Sequence, residues 1–257
     1  MVVILGNSLG HLGLILSYCK SHLSFHINVK LTHIKKRKYI MQTFGERLDR
    51  FFDSMKDSDI ERYTDYWKSV EPTNKEDIFR RYLFAFMSVH TSWQNNCKGY
   101  NAIKRYEKWK GNKAKLLQKI ERTRVGLQNN RANFISSFSS AYWDKPSRFI
   151  SPSNNQGWSE WRDKLCKKIT GLGEAKTSFA IEMIYPTDAK VVCLDTHLFQ
   201  LYGLNQTKHR KLYRAIEIDW LTRCKEREVP SYIARCLYWD RKQNRKNSRY
   251  WSWVLEA

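Results

Sequence analysis

The chain carries the pattern of amphipathic helices from about residue 45 onward. Apolar residues recur every three to four positions over residues 45–55, 60–67 and 73–87, which is helical spacing. The first of these stripes consists of Leu48, Phe51, Phe52 and Met55. The pattern predicts further helices over residues 93–109, 112–119, 130–142 and 158–169. No stretch alternates apolar and polar residues for long enough to require a sheet, so the predicted fold class is all-α.

One helix start has a signal of its own. Thr73 is followed three residues later by Glu76, which is the spacing of a capping box. We therefore predict that Thr73 caps a helix that continues through Ile78, Tyr82 and Met87.

Residues 1–40 differ in character from the rest of the chain, and they end in a basic run over residues 33–38. Two interpretations stay open. Translation starts naturally at Met41, or residues 1–40 are a genuine arm that is loosely attached. In either case we expect one domain over residues 41–257.

The charge of the chain points to a polyanionic partner. Lys and Arg together number 46 and Asp and Glu 25, so the net charge is +21 and the pI is near 9.8. Release of counterions from phosphates makes nucleic acid the first expectation for such a protein. A generally basic proteome or a surface that adsorbs RNA is the alternative. The 10 Trp residues supply core area, and some of them are suited to stacking on bases.

The cysteines and the apolar segments argue against a metal-binding, a membrane-spanning or a secreted protein. No pair has Cys-x-x-Cys spacing, so we expect no metal site, no cofactor and reduced thiols. The six are Cys19, Cys97, Cys166, Cys193, Cys224 and Cys236. No apolar run is long enough to span a membrane, and the start of the chain lacks the features of a signal peptide. We expect a protein of the cytoplasm or nucleoid, or of the nucleus in a eukaryote.

The segment around Gly171-Leu172-Gly173 predicts a helix-hairpin-helix. A helix ends near Ile169, the glycines permit unusual backbone angles in a tight turn, and a second helix begins at Glu174. The amides at this helix start can hold a phosphate. An ordinary turn between helices is the alternative. The residues that we expect to contact DNA are Gly171, Leu172, Gly173, Glu174, Ala175 and Lys176.

A second informative segment brings Asp195 to the start of a helix. The apolar residues 191–194 precede it, and Thr196-His197 follow. A structural N-cap is the common role of an aspartate in this position. The alternative is a carboxylate that takes part in chemistry.

Together the two segments resemble the helix-hairpin-helix DNA glycosylases, a superfamily that includes endonuclease III, the adenine glycosylase and the oxoguanine glycosylases. That family has a Leu-Pro-Gly-Val-Gly hairpin, an apolar helix and then Val-Asp-Thr-His. Here Gly171-Leu172-Gly173 and Leu194-Asp195-Thr196-His197 occupy the two motifs. The resemblance implies a two-lobed, all-α fold, duplex DNA as partner, and Asp195 as the catalytic residue.

Two upstream segments extend the resemblance to roughly residues 80–205. Residues 126–135 are similar to the helix that leads into the hairpin. Residues 86–92 resemble the end of an early helix whose polar residue fills the gap left by the flipped base. His90 falls at this position, and it is the candidate wedge, with Trp93 and Gln94 as alternatives. An interior histidine without this role is the other interpretation of His90.

The chain departs from the family in two ways. Bifunctional members have a Schiff-base lysine two positions after the second hairpin glycine, where this chain has Ala175. Lys176 is a candidate lyase lysine one position later, but one residue rotates a helical side chain by about 100°. We therefore predict a monofunctional enzyme and a phosphate or turn contact for Lys176. The iron–sulfur cysteines of endonuclease III are also absent, since residues 220–257 contain only Cys224 and Cys236.

The resulting hypothesis is a monomeric enzyme that binds duplex DNA with little sequence preference and excises a modified or mismatched base. Water attacks the sugar, and the Asp195 carboxylate stabilises the oxocarbenium-like transition state. Two alternatives stay open: a transferase that modifies bases on the same scaffold, as in phage thymine hypermodification, or a DNA-binding module without catalysis. The tail over residues 232–253, rich in aromatic and basic residues, matches no specificity element, and the target base is not encoded in any motif.

Overall fold

The computed structural model describes residues 45–152, 156–244 and 254. The arm proposed over residues 1–40 and the tail residues Trp251 and Trp253 lie outside this range. The chain divides into two compact units, Met1–Arg50 and Phe51–Ala257, and all contacts reported below lie within the second.

All regular secondary structure in the described residues is helical, which confirms the all-α class. Short 3₁₀ turns cover Tyr106–Lys108 and Arg210–Leu212. The α-helices are α1 (residues 45–53), α2 (Asp57–Ser69), α3 (Lys75–Met87), α4 (Trp93–Ile103), α5 (Lys113–Glu121), α6 (Gln128–Asp144), α7 (Ser147–Ile150), α8 (Trp158–Lys168), α9 (Glu174–Ile184), α10 (Thr196–Leu201), α11 (Tyr213–Glu226) and α12 (Ser231–Lys242).

Helix α3 lies at the centre of the core. From Ile78 to Met87 every residue except Arg80 is buried, and the helix packs against α4, α6 and α9. Aromatic side chains fill much of the space, and the rings of Phe79 and Phe138 are nearly parallel at 5.8 Å. Large rings supply buried apolar area, which explains much of the aromatic content. The core thereby fixes α9, the second helix of the hairpin.

Two predicted helix boundaries were wrong. The cap of α3 is Asn74, whose side chain accepts a hydrogen bond from the Asp77 amide at 2.9 Å. Asparagine is at least as good an N-cap as threonine, so the helix starts one residue later than the Thr73 capping box predicts. The helix predicted over residues 93–109 ends at Ile103. The chain folds back there, and the Trp109 indole donates to the Ile103 carbonyl at 2.7 Å.

The cysteines in the described part of the chain are free thiols. The described residues include no cluster of three or more side chains that could hold a metal ion. No helix in this range is both long enough and apolar enough to cross a membrane.

Candidate active site

Helices α8 and α9 form the predicted hairpin, and its two glycines have different roles. Gly171 adopts φ +94°, and a Cβ at this position would lie 2.4 Å from the Phe134 side chain. Gly173 has an ordinary extended backbone, with φ −81° and ψ 179°, and no atom lies within 4 Å of a Cβ built there. The expectation of unusual backbone angles therefore holds for Gly171 and was wrong for Gly173. Gly173 leaves open space in front of α9.

Phe134 lies on α6. From the resemblance of residues 126–135 to the glycosylase family, we predicted that this helix leads into the hairpin. This assignment was wrong, because α7 and α8 intervene and α8 is the first hairpin helix. Helix α6 supports the turn from the side instead, since Phe134 packs against Gly171.

The first turn of α9 presents backbone N–H groups that have no acceptor within the helix. The first amides of any α-helix lack such partners, and Gly173 supplies no side-chain cap. The Glu174 side chain is held by Arg162 at 3.1 Å. The amides of Glu174, Ala175 and Lys176 are thus suited to bind an anion such as a phosphate.

Arg162 connects the hairpin to the segment that carries Asp195. Its side chain is 0% exposed and contacts Glu174 at 3.1 Å and Glu217 at 2.5 Å. Glu217 also accepts a hydrogen bond from the Val192 amide at 3.0 Å. Burial is the largest single effect and lowers the pKa of Arg162, but Glu217, Tyr213, Glu174 and Asp163 together outweigh it and raise that pKa. The guanidinium therefore stays charged and ties α8, α9 and α11 to residues 191–194.

The apolar segment 191–194 is buried and lies outside any strand. Side chains of α11 satisfy its backbone. The Tyr213 hydroxyl donates to the Val192 carbonyl and accepts from the Leu194 amide at 3.3 Å. A buried backbone needs such partners. The segment is thereby held in one conformation, and it delivers Asp195 to the surface of a cleft.

Asp195 is the N-cap of α10, as the structural interpretation predicts. Its Oδ1 accepts hydrogen bonds from the His197 and Leu198 amides at 2.9 and 3.0 Å. Its Oδ2 accepts none from the residues that the structure describes. The side chain is half-buried and lines a cleft. Capping and chemistry are compatible here, because the helix uses only one of the two oxygens.

The cleft beside Asp195 has aromatic walls, and we call it the aromatic cleft. The space in it, including the part that is open to solvent, is about 700 Å³. Three residues with charged side chains, Lys176, Asp195 and Arg235, line the cleft together with the amide of Asn96. The rings that line it are those of Trp67, Phe84, Trp93, Phe179, Tyr232 and Trp239. A planar ligand with polar edges suits such a lining.

Two lining residues have buried polar atoms without a hydrogen-bond partner in the described chain. They are the Trp67 indole nitrogen and the Asn96 Oδ1, on side chains of residues that are 1% and 3% exposed. An unsatisfied buried polar atom is unfavourable and demands an explanation. A ligand in the cleft that offers an acceptor to Trp67 and a donor to Asn96 would supply the missing partners.

An ion pair between Arg235 and Glu182 lies at the inner end of the aromatic cleft. The Arg235 Nε lies 3.1 Å from Glu182 Oε1, and Nη2 lies 2.8 Å from Oε2. Burial raises the pKa of Glu182 to about 7, and Arg235 limits the rise. Burial also raises the pKa of Cys193 to about 12, against the effect of Arg235 and Lys176. These charges are therefore close to one another around the Cys193 thiol.

The structure brings Lys176 and Asp195 to the same cleft. The Lys176 Nζ lies 5.4 Å from the centre of the Phe179 ring, also on the cleft wall. Ala175 is absent from the lining. A one-residue shift along α9 thus leaves a lysine in the cleft.

The candidate wedge His90 is exposed, in the turn between α3 and α4, with φ +48°. It is therefore no interior histidine. The following residues Thr91 and Ser92 line the aromatic cleft, so His90 lies near its opening. Of the alternatives, Trp93 lines the cleft and Gln94 is exposed.

The sequence analysis did not single out Trp67, Asn96 and Arg235, which line the cleft, or Glu182, which pairs with Arg235. A signal for Arg235 exists in α12, where Tyr232, Cys236 and Trp239 share its helical face. A single arginine on an otherwise apolar stripe indicates a buried cation with a partner. Asn96 and Trp67 have no comparable signal, because their unpartnered state depends on the tertiary packing.

A comparison with protein families agrees with this arrangement. The family described as 8-oxoguanine DNA glycosylase, Ogg-HhH, matches residues 59–223, more than half of the chain. The chain belongs to this family. The match includes the hairpin, Asp195 and all of the aromatic cleft except the residues on α12. No curated protein sequence matches the chain.

Solved structures of similar fold are DNA glycosylases. One is the 8-oxoguanine glycosylase/lyase of Methanocaldococcus jannaschii, in complex with a 15mer DNA containing 8-oxoguanine. It has 16% identity and a TM-score of 0.63, over 80% of this chain and 99% of that chain. The 8-oxoguanine DNA glycosylase of Thermotoga maritima has 16% identity and a TM-score of 0.58, over 78% of this chain and 96% of that chain. These likenesses confirm the helical helix-hairpin-helix glycosylase fold.

Proposed function

We propose that this protein is a DNA glycosylase that hydrolyses the N-glycosidic bond of a damaged base flipped out of duplex DNA. The observation that carries the proposal is the position of Asp195. One of its oxygens is held by the backbone of α10, the other accepts no hydrogen bond from the described residues, and the residue lines a cleft with walls suited to a base. Family membership supports the same reaction class.

The reaction follows from this geometry. As the bond between C1′ and the base breaks, positive charge develops on the sugar, and the Asp195 carboxylate stabilises it. Water adds to C1′ and transfers a proton to Oδ2, and the same proton then passes to the base that has left, which regenerates the carboxylate. The hydrogen bonds to Oδ1 keep the carboxylate in place throughout.

DNA is held by the hairpin and opened by the turn before α4. The amides of Glu174 to Lys176 bind a backbone phosphate, and the open space at Gly173 lets the phosphate approach. His90, exposed beside the cleft, enters the base stack in place of the flipped base. The protein acts as a monomer on one lesion at a time.

The substrate we expect first is 8-oxoguanine, after the description of the family and of the neighbouring structures. The polar atoms of Trp67 and Asn96 complement a base that has both a carbonyl acceptor and an N–H donor. This edge chemistry fits an oxidised purine.

A glycosylase/lyase is the second candidate, and the position of Lys176 favours it. Its amine lies in the aromatic cleft with Asp195, so it is able to replace water as the nucleophile at C1′. The neighbour from Methanocaldococcus jannaschii is described as a glycosylase/lyase. We retain hydrolysis as the first proposal because Ala175 stands at the position of the family's Schiff-base lysine.

One experiment separates these candidates. Duplexes with single lesions, 8-oxoguanine first, are incubated with the protein and divided into three portions: untreated, treated with hot alkali, and treated with borohydride during the reaction. The proposal predicts free base, strand breaks only after alkali, and no covalent adduct. An adduct that is lost in Lys176→Ala identifies the lyase. Binding without release of base from any lesion contradicts glycosylase activity and favours a transferase or a binding module.

A further inference from the structure

We infer that Arg235 is a catalytic residue that stabilises the negative charge of the departing base in the aromatic cleft. The inference rests on the proposed function and adds a second catalytic group to it.

Arg235 is placed as a fixed cation in contact with the ligand space. The residue is 7% exposed, and it nevertheless lines the aromatic cleft. Its guanidinium carbon lies 5.1 Å from the centre of the Phe179 ring and 5.0 Å from that of Tyr232. Two rings and the Glu182 carboxylate thus restrict its movement. Such a preorganised charge needs no rearrangement during the reaction.

The hydrogen bonds of Arg235 leave one side of its guanidinium available. Nε and Nη2 are directed at Glu182. A guanidinium has five N–H groups in a planar fork, so a carboxylate bound on this edge leaves both hydrogens of Nη1 and the second hydrogen of Nη2. Nη1 makes no hydrogen bond within the described part of the chain. Because Arg235 lines the cleft, these hydrogens are the donors that it offers to a bound base.

The chemistry requires a group of this kind. When the C1′–N bond breaks, its electron pair stays on the base and spreads over ring nitrogens and carbonyl oxygens. Asp195 stabilises the sugar cation, and Arg235 stabilises the base anion by charge-assisted hydrogen bonds. Water then adds to C1′ and gives up one proton, and the base anion gains one. The net reaction is hydrolysis, with no other reactant.

The ligand class follows from the donor. A fixed N–H pair with positive charge favours a base whose inner edge carries a carbonyl oxygen, as in an oxopurine. The same edge offers the carbonyl acceptor that the Trp67 indole lacks. A base that presents only an amino group there would meet the N–H donors with donors of its own, and it should be released slowly.

The test replaces the ion pair without leaving a buried charge unpaired. The double variant Arg235→Gln with Glu182→Gln keeps the approximate shape and polar character and removes both charges. It also removes the titration of Glu182. Arg235→Lys is the second variant, since it retains a positive charge. Arg62→Gln on α2 is the control, because it removes one exposed cation away from the cleft. Thermal unfolding verifies that each variant is folded.

The readout is the single-turnover rate of release of 8-oxoguanine from a duplex, between pH 5.5 and pH 8.5. A base that cannot leave as a stabilised anion must be protonated first. We therefore expect the double variant to lose about 100-fold in rate at pH 8 and to recover about tenfold for each unit of acidification. Arg235→Lys should lose less and keep the pH profile of the wild type. DNA affinity should change by less than about threefold, because the phosphate contacts are elsewhere.

Each other outcome overturns the inference. A rate near that of the wild type, or a uniform loss with the wild-type pH profile, assigns Arg235 a structural role only. An acid-dependent profile in Arg235→Lys contradicts a role for the charge. If the wild type releases no base from any lesion, the proposed function fails and the inference with it. Release by the wild type with an unchanged profile in the double variant removes the inference alone.

Discussion

At the residue scale, Asp195 combines an observed role with a proposed one. Its Oδ1 caps α10 through two amides, and the residue lines the aromatic cleft, where we propose that its charge takes part in the reaction. A cap of this kind is the most frequent role of an aspartate at a helix start, so the residue type alone does not reveal a second role. The second role is proposed because Asp195 lines the aromatic cleft.

The two hairpin glycines give the first prediction. Gly171→Ala should reduce the free energy of unfolding by about 2 kcal/mol or more, because φ is positive and Phe134 fills the space of the added Cβ. Gly173→Val should leave the protein folded, since its backbone is extended and the space is open. It should weaken DNA binding about tenfold, because the side chain obstructs a phosphate. Denaturant titration and duplex binding measure the two effects.

Equal stability of Gly171→Ala and the wild type would contradict the assigned turn geometry. Unchanged DNA affinity in a folded Gly173→Val would leave the hairpin as a structural turn only.

Local sequence predicts the residues that act through short motifs. Gly171, Gly173 and Asp195 follow from spacing and residue type, because turns and caps are determined by neighbours in the chain. Trp67, Asn96 and Arg235 come from α2, α4 and α12, and the fold brings them together. The periodicity of these helices predicts which side is buried but not which helices meet. The residues that form the walls of the cleft could therefore not be predicted from the sequence.

At the scale of the elements, one buried cation connects the hairpin to the catalytic segment. Arg162 of α8 contacts Glu174 at the start of α9 and Glu217 on α11. Glu217 in turn holds the Val192 amide. The start of α9 and the segment that leads to Asp195 are thus connected by one set of buried polar contacts. The helices themselves were predictable from their apolar stripes, but these connections between helices were not, since polar residues carry no periodic signal for their partners.

The second prediction concerns these buried contacts. Glu217→Ala leaves the Arg162 charge without its closest partner inside the protein, and we expect a loss of about 3–5 kcal/mol in the free energy of unfolding. Asp163→Ala is the matched control, because Asp163 also contacts Arg162 but its side chain is 46% exposed. Its loss should stay below about 1 kcal/mol. Chemical denaturation measures both, and equal losses would show that the buried pair is not the element that holds the segment.

At the scale of the whole molecule, the net charge of +21 indicates how the protein finds its substrate. Attraction to phosphates is independent of sequence and acts along the whole duplex. In the function that we propose, the hairpin then gives one oriented contact beside the lesion. The fold class was predictable at this scale because helical periodicity extends over the chain. The charge by itself predicts a polyanionic binding partner, but it does not predict a reaction.

The third prediction is a strong dependence of DNA affinity on salt. If the protein neutralises about five phosphates, the logarithm of the binding constant should fall against the logarithm of salt concentration with a slope of about −4. Undamaged duplexes of different sequence should give similar slopes. Titrations between low and physiological salt measure this. A slope near zero would remove the charge as an argument for DNA.

The fourth prediction concerns residues 1–40. The helical pattern starts after Met41, and the family match starts at residue 59. A chain that begins at Met41 should therefore keep a cooperative thermal transition and base release like those of the full chain. Loss of the transition, or an insoluble product, would mean that residues 1–40 belong to the folded domain.

The central claim is that Asp195 stabilises the transition state, and Asp195→Asn tests it most directly. The amide keeps the shape and an oxygen for the His197 and Leu198 amides but lacks the charge. Single-turnover release of base should fall about 100-fold to 1,000-fold, while DNA affinity stays equal or rises because a negative charge near phosphates is removed. Asp188→Asn, at an exposed site outside the cleft lining, should react like the wild type. A full rate in Asp195→Asn would leave Asp195 as a helix cap and place the reacting centre elsewhere.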